Sequence, residues 1–220
     1  MMTIVIPCYN GWALTHQLLF DIYNNCNDAQ VIVVDDKSTE VEVQKGLSWW
    51  GKLMGDKLSI YTNEDNLGFL RAANFGVGKA QTEVVILISN DVGINDKLLC
   101  EKVSTALQQN GGKLNLVGAR LLDRDTGWNT FRGVTFPYLE GWLLAFHKSE
   151  WTNFGGFDER YAPYDFEDVD ISTTYLHKGG HITAITADVQ HVGAQTYKYS
   201  EDREKQTRTN QKKFEEKWTK

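Results

Sequence analysis

The sequence has no apolar run that approaches the roughly 20 residues needed to cross a bilayer. Its start, Met1-Met2-Thr3-Ile4, has no basic residue before the first apolar stretch, so we expect no secretory signal peptide. The three cysteines, Cys8, Cys26 and Cys100, are odd in number, widely spaced and without metal-ligand spacing. These absences predict reduced thiols in a cytoplasmic protein that has no transmembrane segment.

Sequence signals that would divide the chain or mark a common nucleotide site are also scarce. With only three prolines, the 220 residues contain no Pro-rich hinge, internal repeat or low-complexity linker, which favours one domain. Neither G-x-G-x-x-G nor G-x-x-x-x-G-K-[ST] occurs, so a dinucleotide fingerprint and a P-loop are both unsupported. Hydrophobic residues make up 41% and charged residues 24%, as in an ordinary soluble globular protein.

The net charge of −6 is unevenly distributed along the chain. Residues 198–220 carry a net +3, which leaves −9 for the rest. The acidic body argues against nucleic acid as the main partner and suits a protein that binds a cation. The basic tail is interpreted as a solvated helix face, or as an amphipathic helix with Phe214 and Trp218 one turn apart. Such a helix would dock on the body, on a second subunit or peripherally on a membrane surface.

Strand and helix patterns alternate in the first half of the chain, which predicts βαβ units and a mostly parallel sheet flanked by helices. The predicted strands are Thr3–Pro7, Gln30–Val34, Lys57–Thr62, Glu83–Ser89 and Leu114–Ala119. The predicted helices are Gly11–Cys26, Val41–Met54, Leu67–Ala80 and Asn95–Gln109.

The second half is more irregular. Residues 127–138 are aromatic and β-rich, and a mixed apolar run follows at Glu140–His147. A helix is predicted over Glu167–Lys178, because Gly179-Gly180 is a C-cap signal, and two short strands follow near His181–Ile185 and Asp188–Val192. We therefore expect an α/β domain over residues 1–197, nucleotide-binding in its first half, with a charged helical tail over residues 198–220.

Polar residues follow three of the predicted parallel strands, at Tyr9-Asn10, Asp35-Asp36 and Asn90-Asp91. Ligands of open α/β sheets lie at the carboxyl ends of the strands, so these residues predict a polar pocket on one rim. Two simpler interpretations stay open. Asp91 could be the N-cap of the next helix, and Asp35-Asp36 could belong to a turn.

Three further signals lie outside those strand ends. Gly68 and Arg71 at a helix start form a potential anion site. Asp168, half-buried in the acidic segment from Tyr164 to Asp170, would have a raised pKa and could act as a general base, although acidic residues there could merely favour the helix dipole. His191 at a strand end is either a metal ligand or a structural histidine.

Taken together, these residues resemble the family 2 glycosyltransferases of the GT-A fold, and in particular the bacterial and viral rhamnosyltransferase-type enzymes. The likeness runs from Thr3 to about Thr196 and rests on five motifs in the right order. The matching segments are Ile4–Gly11, Val33–Thr39, Asn66–Gly76, Gly155–Glu159 followed by Glu167–Asp170, and His191–Gly193.

The resemblance implies an inverting, metal-assisted transfer of a hexosyl or deoxyhexosyl unit from a nucleotide-diphosphate sugar to a hydroxyl of a glycan, glycolipid or glycoprotein. Mn²⁺ or Mg²⁺ would be held by Asp91 with His191, and Asp168 would be the base. The implied donor-binding residues are Pro7, Tyr9, Asn10, Asp35, Asp36, Gly68, Arg71, Asn74, Asn90 and Asp91. Glu167 and Asp170 would orient the acceptor or the base.

Two aromatic residues and one departure complete the comparison with the family. Trp142 and Trp128 would form sugar-stacking walls, unless they are core tryptophans. The family's D-x-D metal motif is Ser89-Asn90-Asp91 here, so one carboxylate is missing and we expect weaker metal binding.

The alternative to a glycosyltransferase is a catalytically silent nucleotide- or carbohydrate-binding module. A sugar nucleotidyltransferase is disfavoured, because Cys8–Trp12 is not a Gly-rich, Arg-containing loop.

Overall fold

The computed structural model describes residues 1–193 and 201–219 of the chain. Its strands are β1 (Met2–Cys8), β2 (Ala29–Asp35), β3 (Leu58–Thr62), β4 (Val84–Ile88), β5 (Val92–Ile94), β6 (Asn115–Gly118), β7 (Leu121–Leu122), β8 (Thr130–Phe131), β9 (Val134–Thr135), β10 (Tyr138–Leu139), β11 (Leu143–His147), β12 (His181–Ala184) and β13 (Val189–His191). Its α-helices are α1 (Trp12–Asn25), α2 (Val41–Met54), α3 (Phe69–Lys79), α4 (Leu99–Leu107), α5 (Lys148–Phe154), α6 (Glu167–His177) and α7 (Glu201–Trp218).

A central sheet of seven strands organises the described part of the chain, in the order β12-β6-β11-β4-β1-β2-β3. Every neighbouring pair is parallel except the two made by β11, which runs antiparallel to both β4 and β6. This architecture confirms the predicted α/β fold with a mostly parallel sheet.

The sheet is buried on both faces, which explains the continuous apolar character of its central strands. Successive side chains of a strand point to opposite faces. Ile4 and Ile6 of β1 therefore pack in the core under α1, α2 and α4, whereas Val5 packs in the core on the α3 side. Helix α3 approaches closely at Gly76, where a Cβ atom would lie 2.5 Å from a methyl carbon of Val5.

The segment after β4 differs from its predicted form. Helix α4 begins at Leu99 and not at Asn95, because residues 92–94 form β5 and pair antiparallel with β13. The backbone N–H of Asn95 continues this pairing by donating to the carbonyl of Asp188. Asp91 therefore precedes a strand, and its interpretation as a helix N-cap is wrong. Helix α5 and the short strands β5 and β7 were not predicted.

Helix α7 packs against the body of the protein, one of the three docking sites expected for the tail. Phe214 is fully buried in the core cluster that also contains Phe131 and Phe166. The Trp218 Nε1–H donates to Asp170 at 2.7 Å. The expected boundary between residues 197 and 198 lies outside the described residues. Within residues 1–193 and 201–219, no helix is both long and apolar enough to cross a bilayer.

Replacement of Phe214 by alanine tests whether this docking stabilises the fold. Loss of a fully buried phenylalanine should lower the free energy of unfolding by about 3–5 kcal/mol, measured by urea denaturation followed by circular dichroism. The matched control is Phe20→Ala on α1, whose side chain is 52% exposed and whose loss should cost much less. Equal losses in the two variants would contradict the docked position of α7.

Candidate functional site

A cavity of about 500 Å³ lies at the carboxyl ends of β1, β2 and β4. The parallel pairing of these strands brings their ends to one rim, as their polar endings predicted. Chain from the second half, which includes the start of α6 and the end of β13, closes the opposite side. The predicted site residues that line the cavity are Pro7, Tyr9, Asp36, Asn90, Asp91, Trp142, Glu167, Asp168 and His191.

Asp91 and His191 meet in this cavity because β5 and β13 pair. His191 lies opposite Val92 in the antiparallel register, and the Val192 N–H donates to the Asp91 carbonyl at 3.0 Å. The His191 Nε2 atom lies 3.3 Å from Asp91 Oδ1. Two neighbouring ligands of an octahedral ion, with bonds of about 2.1 Å, are about 3 Å apart, so this pair fits one Mg²⁺ or Mn²⁺ ion.

The chemistry of this donor pair also matches such ions. Mg²⁺ is usually bound through one or two protein ligands, with water and phosphate oxygens completing its shell. The described residues contain no group of three or more His, Cys, Asp or Glu side chains that could hold a metal. A cation at Asp91 and His191 would therefore depend on the ligand's own oxygens for most of its coordination.

Trp142 fixes the orientation of His191. The two rings are stacked, with centroids 5.1 Å apart and an angle of 12° between their planes. The Trp142 Nε1–H donates to Glu140 Oε2 at 2.7 Å, and Glu140 pairs with Arg120. Trp142 lines the cavity and also packs against the core, and its role as a sugar-stacking wall remains a prediction.

Asn90 and Ser89, which replace the rest of the metal motif, are held by contacts across the rim. The Asn90 amide donates to the Thr15 hydroxyl of α1 at 3.0 Å. The Ser89 N–H donates to the Trp142 carbonyl, which extends the pairing of β4 with β11 by one step. Both residues line the cavity beside Asp91.

Asp168 lines this cavity and is held by two backbone hydrogen bonds. Its Oδ2 accepts from the Gly141 N–H at 3.1 Å and its Oδ1 accepts from the Val169 N–H at 2.8 Å. Burial raises the pKa of Asp168 to about 7, against the lowering effect of these two hydrogen bonds. Since a general base works best with a pKa near the operating pH, this carboxyl is matched to proton transfer near neutrality.

Glu167 precedes Asp168 and is more deeply buried, with 9% of its surface exposed. Burial, followed by the charge of Asp168, raises the pKa of Glu167 well above its usual value. Its Oε2 has no hydrogen-bond partner among the residues the structure describes. A buried polar atom without a partner is costly, and a bound ligand that donates a hydrogen bond would satisfy it.

The turn that positions these two carboxylates is held by α7. Asp165 and Phe166, directly before α6, have positive φ angles of 69° and 78°, a region that L-residues rarely adopt. The Asn210 side-chain amide donates to the carbonyls of Tyr161, Tyr164 and Asp165. These bonds offset the strain of the turn and fix the start of α6.

Three predicted donor-binding residues on the first-half rim make contacts within the protein and do not line the cavity described above. Asp35 Oδ1 accepts from the Ser38 N–H at 2.9 Å, which gives the turn that was its alternative interpretation. Asn10 Oδ1 accepts from the backbone of residues 39 and 40. The Gly68 N–H donates to Asp36 Oδ2 at 2.7 Å. Their direct contacts with a donor remain predictions.

Three other predicted residues also lie outside this cavity's lining and connect helices to the body. Arg71 pairs with Glu159 at 3.2 Å, and both side chains are largely exposed. Asn74 bonds both the N–H and the carbonyl of Phe157, which ties α3 to the Gly155–Glu159 motif. Asp170 is buried and accepts from Lys217 and Trp218 of α7. Ligand contacts of these three residues stay predictions as well.

Several lining residues were not predicted from the sequence. Tyr138, Glu140 and Gly141 enter the cavity because β11 pairs antiparallel with β4, which brings the segment before β11 beside Asp91. Arg203 enters from α7. The apolar run at Glu140–His147 was a usable signal for a strand, but no local pattern indicates its partner or the position of Arg203.

The sequence of the chain matches a known protein family. The model of the family described as Glycosyl transferase family 2 matches residues 3–169. No curated protein matches the chain.

Solved structures are similar in fold at low sequence identity. The mannosyltransferase PcManGT from Pyrobaculum calidifontis, in complex with GDP-Man and Mn²⁺, superposes with a TM-score of 0.71 and 21% identity over 89% of this chain and 58% of its own. GalNAc-T7 with UDP, GalNAc and Mn²⁺ superposes with a TM-score of 0.72 and 16% identity over 87% of this chain and 43% of its own. S. aureus TarS 1-349 superposes with a TM-score of 0.61 and 18% identity over 85% of this chain and 58% of its own. The chain thus spans about half the length of these proteins.

The raised pKa of Asp168 predicts a pH-dependent stability. A carboxyl with a folded pKa of about 7 and an unfolded pKa near 4 favours the unfolded state increasingly as pH rises between those values. In Asp168→Asn, the free energy of unfolding should therefore fall less between about pH 4 and pH 8, by about 4 kcal/mol. Urea denaturation across this range measures the difference.

The control for that series is Asp28→Asn, which removes an exposed carboxylate distant from the cavity lining. Its stability profile should run parallel to that of the unaltered protein. A parallel profile for Asp168→Asn would show that burial does not perturb this carboxyl.

Proposed function

Because the chain belongs to glycosyl transferase family 2, we propose that it transfers a sugar from a nucleotide-diphosphate sugar to an acceptor hydroxyl. The observation that carries the proposal is the meeting, in one cavity, of the Asp91–His191 pair, whose facing atoms lie 3.3 Å apart, and of Asp168, whose pKa burial raises to about 7. Either feature alone would suit a binding protein, whereas the two together suit a displacement reaction that needs a stabilised leaving group and a base.

The nucleotide end of the donor lies at the β1 and β2 side of the cavity in this proposal. Pro7, Tyr9 and Asp36 line that side. Asp36 accepts hydrogen bonds from Asn63, Leu67 and Gly68, so it also fixes the loop before α3. GDP-Man and UDP in the structures of PcManGT and GalNAc-T7 support a nucleoside-diphosphate donor.

The divalent cation, Mn²⁺ or Mg²⁺, is held by Asp91 and His191. The Mn²⁺ in two of the structural neighbours and the 3.3 Å separation of these side chains support the assignment. When bound, the cation supplies positive charge that stabilises the departing diphosphate. With Ser89 in place of a carboxylate, fewer charged ligands are available and metal affinity should be weaker.

Asp168 acts as the base in a single in-line displacement, which inverts the anomeric configuration. The acceptor oxygen forms a bond to the anomeric carbon while the bond from that carbon to the diphosphate oxygen breaks. The hydroxyl proton passes to the Asp168 carboxylate, which the Gly141 and Val169 N–H groups hold in place. Glu167 orients the acceptor through Oε2, which has no hydrogen-bond partner among the described residues.

The proposed identities of the donor sugar and the acceptor rest on sequence motifs. The likeness to rhamnosyltransferase-type enzymes suggests a hexose or deoxyhexose donor, and a glycan, glycolipid or glycoprotein acceptor remains the expected partner. The cytoplasmic location expected from the sequence also remains a prediction.

A donor-turnover assay tests the role of Asp168. The protein is incubated with a panel of UDP-, GDP- and dTDP-sugars and Mn²⁺, with water and a mixture of methyl glycosides as acceptors, and release of nucleoside diphosphate is followed. Asp168→Asn should lower turnover by about 10²-fold or more, because the base is lost, while the donor Kd measured by calorimetry stays the same. The control Asp28→Asn should retain full turnover.

Unchanged turnover in Asp168→Asn would remove this residue from the base role. Donor binding without turnover in the unaltered protein, with any sugar of the panel, would favour the catalytically silent binding module instead.

A further inference from the structure

The segment Glu140–Trp142 lies at the cavity rim on a backbone that is fixed at both ends. The Glu140 N–H donates to the carbonyl of Arg120 at 3.0 Å, which extends the antiparallel pairing of β7 with β10 by one step. The Trp142 carbonyl accepts from the Ser89 N–H at 2.9 Å. With the backbone held in this way, only the side-chain torsions of Trp142 determine where its indole ring lies.

A hydrogen bond within the segment sets those torsions. The Trp142 Nε1–H donates to Glu140 Oε2 at 2.7 Å. The other carboxylate oxygen, Glu140 Oε1, lies 3.4 Å from a guanidinium nitrogen of Arg120, and the Glu140 side chain is only 23% exposed. An indole has a single N–H donor, so an acceptor that is itself held in place selects one orientation of the ring.

In that orientation the indole lies flat against the imidazole of His191. The ring centroids are 5.1 Å apart and the planes are inclined by 12°. His191 ends the three-residue strand β13, and 30% of its side chain is exposed, so the solvent leaves room for its ring to rotate. Stacking on Trp142 restricts that rotation and keeps Nε2 at 3.3 Å from Asp91 Oδ1.

Such restraint matters at this site because the chain supplies few ligands to a cation. Ser89 stands where the family motif has a carboxylate, and the described residues contain no group of three side chains that could hold a metal. A side chain that becomes ordered only on binding lowers the affinity, whereas one already in place does not. Partners that orient a metal-binding histidine typically change metal affinity by about 10- to 100-fold.

We propose that Glu140 is a positioning residue of the cation site: it holds the Trp142 indole against His191 and thereby keeps Nε2 beside Asp91. Trp142 then serves the cation-binding histidine and not a sugar, in contrast to the stacking wall expected from the sequence. The inference rests on the proposed function, which places the cation at Asp91 and His191, and deepens it by naming the residues that preorganise this two-ligand site.

Metal binding by single variants tests the proposal. The probes are Mn²⁺ alone, Mn²⁺–UDP and Mn²⁺–GDP, and water-proton relaxation measures their Kd values on the full chain. Glu140→Ala removes the acceptor and Trp142→Phe removes the donor, so each should raise the Mn²⁺-dependent Kd by roughly three- to tenfold. Glu140→Gln keeps an acceptor oxygen and should bind like the unaltered protein. Binding of UDP or GDP without metal should be the same in all of them.

The double variant Glu140→Ala/Trp142→Phe tests whether the two residues act through one bond. Both substitutions remove the same hydrogen bond, so the double variant should lose no more affinity than either single variant. Losses that multiply, or an unchanged Kd in Trp142→Phe, would overturn the proposal. An equal loss in Glu140→Gln would also overturn it, because the charge of Glu140 would then act on the cation directly.

A measurement without metal distinguishes positioning from general damage to the fold. The chain has five histidines, so the Cε1–H proton resonance of His191 can be assigned by its loss in His191→Gln. The ring current of the stacked indole should shift this resonance upfield. The shift should disappear in Glu140→Ala and persist in Glu140→Gln. A resonance that does not move in Glu140→Ala would contradict the positioning role.

The matched control is Glu215→Ala. Glu215 also forms an ion pair with an arginine, Arg132, at 3.5 Å, and neither residue lines the cavity. This variant should leave both the Mn²⁺-dependent Kd and the His191 resonance unchanged. Equal effects of Glu215→Ala and Glu140→Ala would overturn the proposal.

Donor turnover separates this inference from the function on which it rests. Glu140-dependent Mn²⁺ binding without turnover of any nucleotide sugar would support the positioning role and overturn the transfer activity. Turnover together with Mn²⁺ binding that does not depend on Glu140 would overturn the positioning role alone. No Mn²⁺ binding by the unaltered protein with any of the three probes would overturn the cation assignment and this inference together.

Discussion

The hydrogen-bonded pairing of β1 with β2 on one side and β4 on the other is the constraint on which the site depends. In register, Cys8 lies opposite Asp35 and Val5 lies opposite Leu87, so the three strands end on the same rim. A slip of one residue in either pairing would exchange the two faces of a strand that is buried on both sides. The rim therefore follows from the same packing that stabilises the sheet.

The second half of the chain completes the site through antiparallel strand pairings. Antiparallel β11 brings Glu140, Gly141 and Trp142 beside the end of β4, and antiparallel β13 brings His191 to Asp91. Helix α7 then fixes the turn before α6, so that Glu167 and Asp168 face the rim. The Asp91–His191 pair and the surroundings of Asp168 are thus each built from segments distant in sequence.

The sequence predicted the local features of this arrangement and missed the long-range ones. The apolar strands and their polar endings are encoded in consecutive residues, which is why the sheet and the rim positions of Tyr9, Asp36 and Asp91 were predictable. The pairing of β5 with β13 joins residues almost 100 positions apart, and no local pattern indicates it. Arg203, on a helix whose composition suggested a solvated tail, was missed for the same reason.

Spectroscopy of bound Mn²⁺ tests most directly whether Asp91 and His191 hold a cation against a nucleoside diphosphate. Electron-nuclear double resonance of the protein with Mn²⁺ and UDP or GDP should show a ³¹P coupling from the diphosphate and a ¹⁴N coupling from His191. The ¹⁴N coupling should disappear in His191→Gln while the ³¹P coupling remains. Bound Mn²⁺ with no ³¹P coupling to either nucleotide, or a ¹⁴N coupling that persists in His191→Gln, would contradict the account.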